Sequence, residues 1–240
     1  MKSGTLYLVP NLLGVAAPSD VLPERTIAIA RRLQHFVVET PKIARAFLKT
    51  LSPERTIADI ALIASEPAAP ALAQCRAWLH EGHDVGVLSD AGCPGMADPG
   101  ARFVTLAHGL GTPVVPLVGP SSVLLGLMAS GFDGQHFTFH GYLPSKPAQR
   151  DEALRQLERQ VRHHGATQIF IETPYRNGAL LDALAKTLDG DTMLCVAQNL
   201  TSDDERILCL PAGQWTSAAR QRFQGKAPTL FLIGRAQRGD

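Results

Sequence analysis

No sign of charge dominates this 240-residue sequence: 23 Lys and Arg face 22 Asp and Glu, for a formal net charge of +1. A general electrostatic pull on nucleic acid is therefore excluded, and binding of that kind needs a local patch. Cysteine is scarce, with only Cys75, Cys93, Cys195 and Cys209, and no two stand in a CxxC spacing. Their wide separation predicts scattered, reduced thiols in a cytoplasmic protein and not a disulfide framework. Long apolar runs are also missing. Leu6-Tyr7-Leu8-Val9 is cut short by Pro10-Asn11, too soon for a signal-peptide core. Thr112 to Phe132 is uncharged and about as long as a membrane span, but Pro113, Pro116, Gly119 and Pro120 interrupt it. Each interior proline would cost a helix about 3 kcal/mol. A buried strand, a turn and a helix are expected there, and no membrane span. Three ligand fingerprints are absent too. No GxGxxG follows the first strand, Gly225-Lys226 lacks the rest of a P-loop, and His80-Glu81-Gly82-His83 lacks the HExxH spacing. No pyrophosphate cradle and no metal site is expected.

With 45% hydrophobic residues the chain has ample material for one large or two compact α/β domains. Short β-branched runs alternate with helical-period segments. Strands are predicted over 5–9, 36–39, 59–64, 85–89 and 114–117, with helices over 22–33, 42–51, 71–81 and 101–108. Such alternation argues for parallel strands joined by crossover helices, covered on both faces. Beyond Val118-Gly119-Pro120 the character changes, and the domains are placed at 1–118 and 119–240. The second half predicts helices over 121–130, 150–163, 178–187 and 214–222, and strands over 137–140, 167–171 and 229–233. Segments 192–197 and 205–210 are close enough to form an antiparallel pair. In the 150–163 helix, Arg155, Arg159 and Arg162 read as a solvent face balanced by Asp151 and Glu158.

Three segments carry chemistry. The strand ending at Ser89 runs into Asp90-Ala91-Gly92-Cys93-Pro94-Gly95-Met96-Ala97-Asp98-Pro99-Gly100. In a parallel sheet ligands bind at the carboxyl ends of strands. Gly92 and Gly95 allow close approach of backbone to ligand, and Asp90 can accept from amines or hydroxyls; a structural strand-to-helix turn is the plainer reading. Pro116-Leu117-Val118-Gly119-Pro120-Ser121-Ser122 ends a strand and opens a helix with two hydroxyls, suited to a polar ligand edge or to ordinary capping. Ile169-Phe170-Ile171-Glu172-Thr173-Pro174-Tyr175-Arg176 delivers Glu172 and Arg176 to a strand end, where they serve a ligand or simply pair. Cys93 lies in the first loop without an obvious activating base.

Taken in order, these segments resemble the tetrapyrrole-methylase superfamily, particularly its ribosomal-RNA small-subunit methyltransferase I branch. Gly4-Thr5-Leu6-Tyr7-Leu8-Val9 is similar to that branch's opening Gly-x-Leu-Tyr-x-Val strand. Ser89–Pro94 with Asp98–Gly100 resembles its Ser-Asp-Ala-Gly-Thr-Pro…Asp-Pro-Gly loop, and Pro116–Ser121 its Pro-x-Pro-Gly-Pro-Ser segment. Gly141-Tyr142-Leu143-Pro144-Ser145-Lys146 and Phe170–Arg176 are similar to two further motifs, so nearly the whole chain is covered. The resemblance implies an S-adenosylmethionine-dependent methyltransferase of two α/β domains, a mostly parallel N-terminal sheet and a mixed C-terminal one, with the donor in the interdomain cleft. It implies a donor site of Pro10, Asp90, Ala91, Gly92, Gly95, Ser121, Ser122 and Glu172, closed by Leu200 and Pro228. It also implies a homodimer.

The departures fall on the acceptor side. The branch's Thr-Pro-Ile-Gly-Asn stands here as Asn11-Leu12-Leu13-Gly14-Val15 and its Glu-Asp-Thr-Arg as Glu39-Thr40-Pro41-Lys42. Its His-rich segment is replaced by Ala64-Ser65-Glu66-Pro67, and its Arg-Glu-Leu-Thr-Lys by Gln198-Asn199-Leu200-Thr201-Ser202. Three acceptor readings stay open: 2′-O-methylation of ribosomal RNA, methylation of a tetrapyrrole or other small molecule, and a non-catalytic module that binds the donor. Glu39, Asp98 and Glu172 are the carboxylates at predicted strand ends that can serve an oxygen acceptor as base. For RNA, Lys42, Arg45, Lys146, Arg150 and Arg176 form the candidate basic rim, unless neighbouring acids such as Glu39, Asp151 and Glu172 pair with them.

Overall fold

A computed structural model describes residues 3–54 and 56–236. The chain divides into two compact units, 1–121 and 122–240. In the first, β1 (Leu6–Val9), β2 (His35–Val38), β3 (Ala61–Ala64), β4 (Val85–Leu88) and β5 (Val114–Pro116) form one sheet in the order β3-β2-β4-β1-β5. Every pairing in it is parallel. The connections carry α1 (Pro18–Val21), α2 (Glu24–Arg32), α3 (Pro41–Leu51), α4 (Ala68–His80) and α5 (Ala101–Gly109).

The period of two in these strands sorts their side chains onto two faces. Tyr7, Val9, Phe36, Val38 and Leu88 pack with Ile29, Leu33, Phe47 and Leu48 of the α2–α3 layer. Leu6, Val37, Val85 and Val87 pack with Cys75, Trp78, Leu79 and Phe103 of the α4–α5 layer. Each fully buried aliphatic side chain contributes about 1.5–3 kcal/mol. Gly86 is small of necessity, because a Cβ there would stand 2.6 Å from the Phe36 ring. Because all five strands run the same way, their carboxyl ends share one edge. Central β4 places its following loop between those of β2 and β1.

The second unit holds α6 (Ser122–Ser130), β6 (Phe137–Tyr142), α7 (Pro147–His164), β7 (Thr167–Glu172), α8 (Asn177–Thr187), β8 (Met193–Gln198), β9 (Arg206–Pro211), α9 (Ser217–Gln221) and β10 (Thr229–Gly234). Its sheet runs β6-β7-β10-β8-β9 and is mixed: β6 and β7 are parallel, and the other three pairings antiparallel. Leu154, Leu157 and Val161 of α7 and Leu180 and Leu184 of α8 pack on Phe170, Val196 and Phe231. α6 covers the other face, where a Cβ on Gly126 would meet Leu230 at 2.3 Å.

Several boundaries differ from the sequence reading. α7 opens at Pro147, not Arg150; proline at the first helical position gives up only an N–H that has no intrahelical partner. The predicted 214–222 helix is a 3-10 turn over Ala212–Gln214 followed by the short α9, capped by the Thr216 hydroxyl. The strand predicted from Asp59 starts at Ala61, after a 3-10 turn over Ile57–Asp59. Glu158 is a correction of substance. It is buried, and its carboxylate accepts from the Asp189 amide at 2.8 Å and from the Thr192 hydroxyl. Arg155 and Arg159 pair with Glu152, and Arg162 with Asp189 and Asp191. Among the described residues, no helix is long and apolar enough to cross a membrane.

Candidate functional site

The loop after β4 is held from three sides by strand ends of its own sheet. From β1, Asn11 is buried and its Nδ2 donates to the Ser89 and Asp90 carbonyls at 3.1 and 3.0 Å. Its backbone N–H donates to the Gly92 carbonyl at 2.9 Å. From β2, the Thr40 amide and hydroxyl donate to the Asp90 carboxylate at 3.0 and 2.7 Å, and Glu39 Oε2 accepts from the Asp90 amide at 3.0 Å. From the β5 side, the Cys93 thiol donates to the Pro120 carbonyl at 3.3 Å. Burial, with Asp98 nearby, pushes that thiol's pKa up, so Cys93 is a structural contact and not an activated nucleophile.

Within the loop, Asp98 Oδ1 accepts from the Gly95 and Gly100 amides at 2.8 and 2.7 Å and closes the turn. Gly92 and Gly95 take φ of 66° and 88°, the left-handed region glycine enters without strain. A Cβ on Gly95 would meet nothing closer than 4.0 Å. The backbone there faces open space, as close approach by a ligand requires. Pro10 packs against Gly119, so the β1 and β5 ends also meet. Pro10, Asp90, Ala91, Gly92, Gly95 and Ser121 thus lie on the carboxyl edge of one parallel sheet.

In the second unit, Ser122 opens α6, while Glu172, Leu200 and Pro228 gather at one end of the mixed sheet. Glu172 ends β7 opposite Thr229, and Thr229 also lies opposite Gln198. The Asn199 amide donates to the Pro228 carbonyl at 3.0 Å, bringing the turn that carries Leu200 against the start of β10. Glu172 is buried and committed: its Oε1 accepts from the Thr173 amide and from Arg176 Nε and Nη2 at 2.6–3.0 Å. Beside it, Asn177 is buried with Nδ2 donating to Ala227 and Thr229 and with Oδ1 unpartnered.

Of the three candidate carboxylates, Glu172 is neutralised by Arg176 and Asp98 is occupied by loop amides. Glu39 has no cationic partner among the described residues. Partial burial raises its pKa above the usual 4.5, the bond from the Asp90 amide opposes this, and the charges of Asp90 and Asp98 add to the rise. Sequence reasoning missed Asn11 and Thr40 as the residues that hold the loop. Their adjacency to Pro10 and Glu39 at strand ends was the available signal. Of the candidate basic residues, Arg150 pairs with Asp151 and Arg176 with Glu172. Lys42, Arg45 and Lys146 are exposed, and no ion pair holds them among the described residues.

The tight loop at the parallel-sheet edge, with two left-handed glycines, leaves backbone open to close approach by a ligand. Comparison with known proteins places the chain in a family. Residues 13–215 match the family described as tetrapyrrole (corrin/porphyrin) methylases. A ribosomal RNA small subunit methyltransferase I of Micromonospora olivasterospora is 37% identical over 86% of this chain and 62% of its own length. Its namesake in Pseudomonas aeruginosa is 30% identical over 100% of this chain and 83% of its own. Among solved structures, the methyltransferase CobJ superposes with a TM-score of 0.63 at 19% identity, covering 99% of this chain and 98% of its own. A Thermus thermophilus uroporphyrin-III C-methyltransferase complexed with S-adenosylhomocysteine gives 0.57 at 14%, covering 97% and 98%. The chain therefore belongs to the tetrapyrrole methylase family of S-adenosylmethionine-dependent methyltransferases.

Proposed function

We propose that this chain moves the methyl group of S-adenosylmethionine to a ribose 2′-hydroxyl of ribosomal RNA. The observation that carries the donor half is the β4 loop, with Gly92 and Gly95 in left-handed conformation and Asp90, Asn11 and Thr40 fixing its backbone. The donor, when bound, supplies a methyl already activated by a positive sulfur. The protein's task is to align the acceptor oxygen and exclude water, an effect worth about 7–11 kcal/mol of the barrier. Glu172, Leu200 and Pro228 belong to this reading as further donor contacts. Glu39 takes the acceptor proton in it, as the carboxylate that, among the described residues, neither a cation nor several amides occupy. General-base catalysis of this kind contributes about 10²–10⁴-fold.

The acceptor half rests on the names of the relatives and on exposed Lys42 and Arg45 of α3, beside Glu39. Two or three phosphate contacts give binding a log–log salt slope of about −1.5 to −2 on single strands. The test is transfer of isotopic methyl from the donor to purified small-subunit ribosomal RNA, with the modified ribose mapped. Label at one ribose, lost in Glu39→Gln at unchanged donor affinity, is the expected result. Donor binding with label only in a small-molecule fraction moves the acceptor to that class. Donor binding without any transfer reduces the chain to a binding module. A cytoplasmic location and a homodimer complete the proposal; light scattering that gives the mass of one chain at tens of micromolar removes the dimer.

A further inference from the structure

Two cysteines far apart in sequence stand directly opposite each other in the second unit. In the β8–β9 pairing, Cys195 faces Cys209 in register. The ladder continues past the strands with the Ala212 amide bonded to the Thr192 carbonyl at 2.8 Å, which makes Thr192/Ala212 a hydrogen-bonded pair. Such pairs alternate with non-hydrogen-bonded ones. Counting from 192/212, the pair 195/209 falls in the non-hydrogen-bonded class. There the two Cα atoms stand about 4.5 Å apart and the side chains lie closest. A disulfide needs Cα atoms roughly 4.4–6.8 Å apart and Cβ atoms roughly 3.5–4.5 Å apart. The register therefore brings the two thiols to bridging distance with little movement of the backbone.

The two residues differ in access. Cys195 is fully buried, on the face opposite Leu194 and Val196, while Cys209 is only partly buried and β9 is the edge strand. The interaction between the two thiols lowers the Cys209 pKa and raises that of Cys195, and burial adds to the Cys195 rise. Nucleophile and resolving thiol are distinguished first by exposure, and the pKa directions agree with it. Cys75 is buried in α4 and Cys93 is engaged with Pro120, so neither offers an equivalent arrangement.

We propose that Cys195 and Cys209 form a reversible oxidation site that closes to a cross-strand disulfide in the presence of a small-molecule disulfide oxidant. Cys209, as thiolate, attacks one sulfur of oxidised glutathione and releases the first glutathione thiolate. Cys195 then attacks the Cys209 sulfur and displaces the second, its proton passing to the leaving thiolate. The net change is two protein thiols and one glutathione disulfide giving one protein disulfide and two glutathione thiols. The bridge falls within the allowed Cα range. It closes the hairpin whose turn carries Leu200, but its formation does not depend on the donor reading.

The test uses the full chain, folded, incubated with excess oxidised glutathione, quenched in acid, alkylated and digested. The expected result is a Cys195–Cys209 cross-linked peptide, alkylated Cys75 and Cys93, an intact mass lower by two hydrogens before alkylation, and full reversal by dithiothreitol. Cys195→Ala and Cys209→Ala should each abolish the mass loss, and Cys75→Ala should not. Four alkylated cysteines, a bridge to Cys75 or Cys93, or glutathione retained on Cys209 beside an alkylated Cys195 would each overturn the proposal.

Discussion

Gly92→Val separates the cost of a backbone conformation from the cost of filling a ligand's space. At φ 66° a side chain on residue 92 enters the left-handed region, which costs an L-residue about 1–2 kcal/mol and a β-branched one more. The added Cβ would meet Leu13 Cδ2 at 3.0 Å and the Pro120 carbonyl at 3.4 Å. The first is the end of a flexible side chain and gives way cheaply; the second is ordinary contact. A loss of about 2–3 kcal/mol is expected, within the ~5–15 kcal/mol stability typical of folded proteins. Gly111→Val is the matched control: its φ is 65° and nothing lies within 4 Å of the added Cβ. Both variants should lower the thermal midpoint by a few degrees. Calorimetry with S-adenosylhomocysteine, at a temperature where both are folded, should show at least a tenfold loss for Gly92→Val, or about 1.4 kcal/mol, and none for Gly111→Val. Equal affinity in the two variants would refute the placement of the donor against this loop.

Glu158→Ala should destabilise the second unit by about 2–3 kcal/mol in urea titration, because the Asp189 amide and Thr192 hydroxyl lose a buried acceptor; Glu158→Gln should cost less. Glu39 has a raised folded-state pKa, so its favourable contribution is full below the ordinary value of 4.5 and is lost as pH rises through the folded value. Wild-type stability relative to Glu39→Gln should therefore improve as pH falls toward 4.5, and a pH-independent difference would count against the burial of that carboxylate. His35 is shifted the other way, mainly by burial and then by His83 stacked 4.3 Å away, with Glu81 opposing. Its contribution is present above 6.5 and lost as pH falls through the lower folded value. By NMR titration, His83→Asn should raise the His35 pKa, and an unmoved curve would leave burial as the whole cause.

The parallel half of the fold was legible because its strands are short, apolar and regularly spaced between helical periods, and each of those signals is local. Val85–Leu88 followed by a glycine-rich loop predicts a ligand edge without any partner strand being known. The loop's anchors were not legible in the same way. The bonds from Asn11 to Ser89 and from Thr40 to Asp90 join residues 78 and 50 apart in sequence. Only the strand order β2-β4-β1 brings them together. The motif resemblance marked Asn11 and Thr40 as departures on the acceptor side, yet both hold the loop after β4 in place.

The second half shows why residue type alone misleads about charge and thiols. Glu158 recurs among arginines on α7, and periodicity assigns it to solvent with them. The helix in fact turns Leu154, Leu157 and Val161 inward, and Glu158 follows Leu157 into the rim of that core. A carboxylate there is stable only because the turn before β8 presents an amide and a hydroxyl to it. Cys195 and Cys209 make the same point from the other side. Fourteen positions apart they look scattered, and the hairpin turn between β8 and β9 sets them face to face. In both cases the deciding partner comes from an antiparallel neighbour or a turn whose register the sequence does not announce. Register is fixed by which face must be buried. Leu194, Val196, Leu208 and Leu210 all have to meet the α7–α8 layer, and that requirement puts the two thiols together on the opposite face.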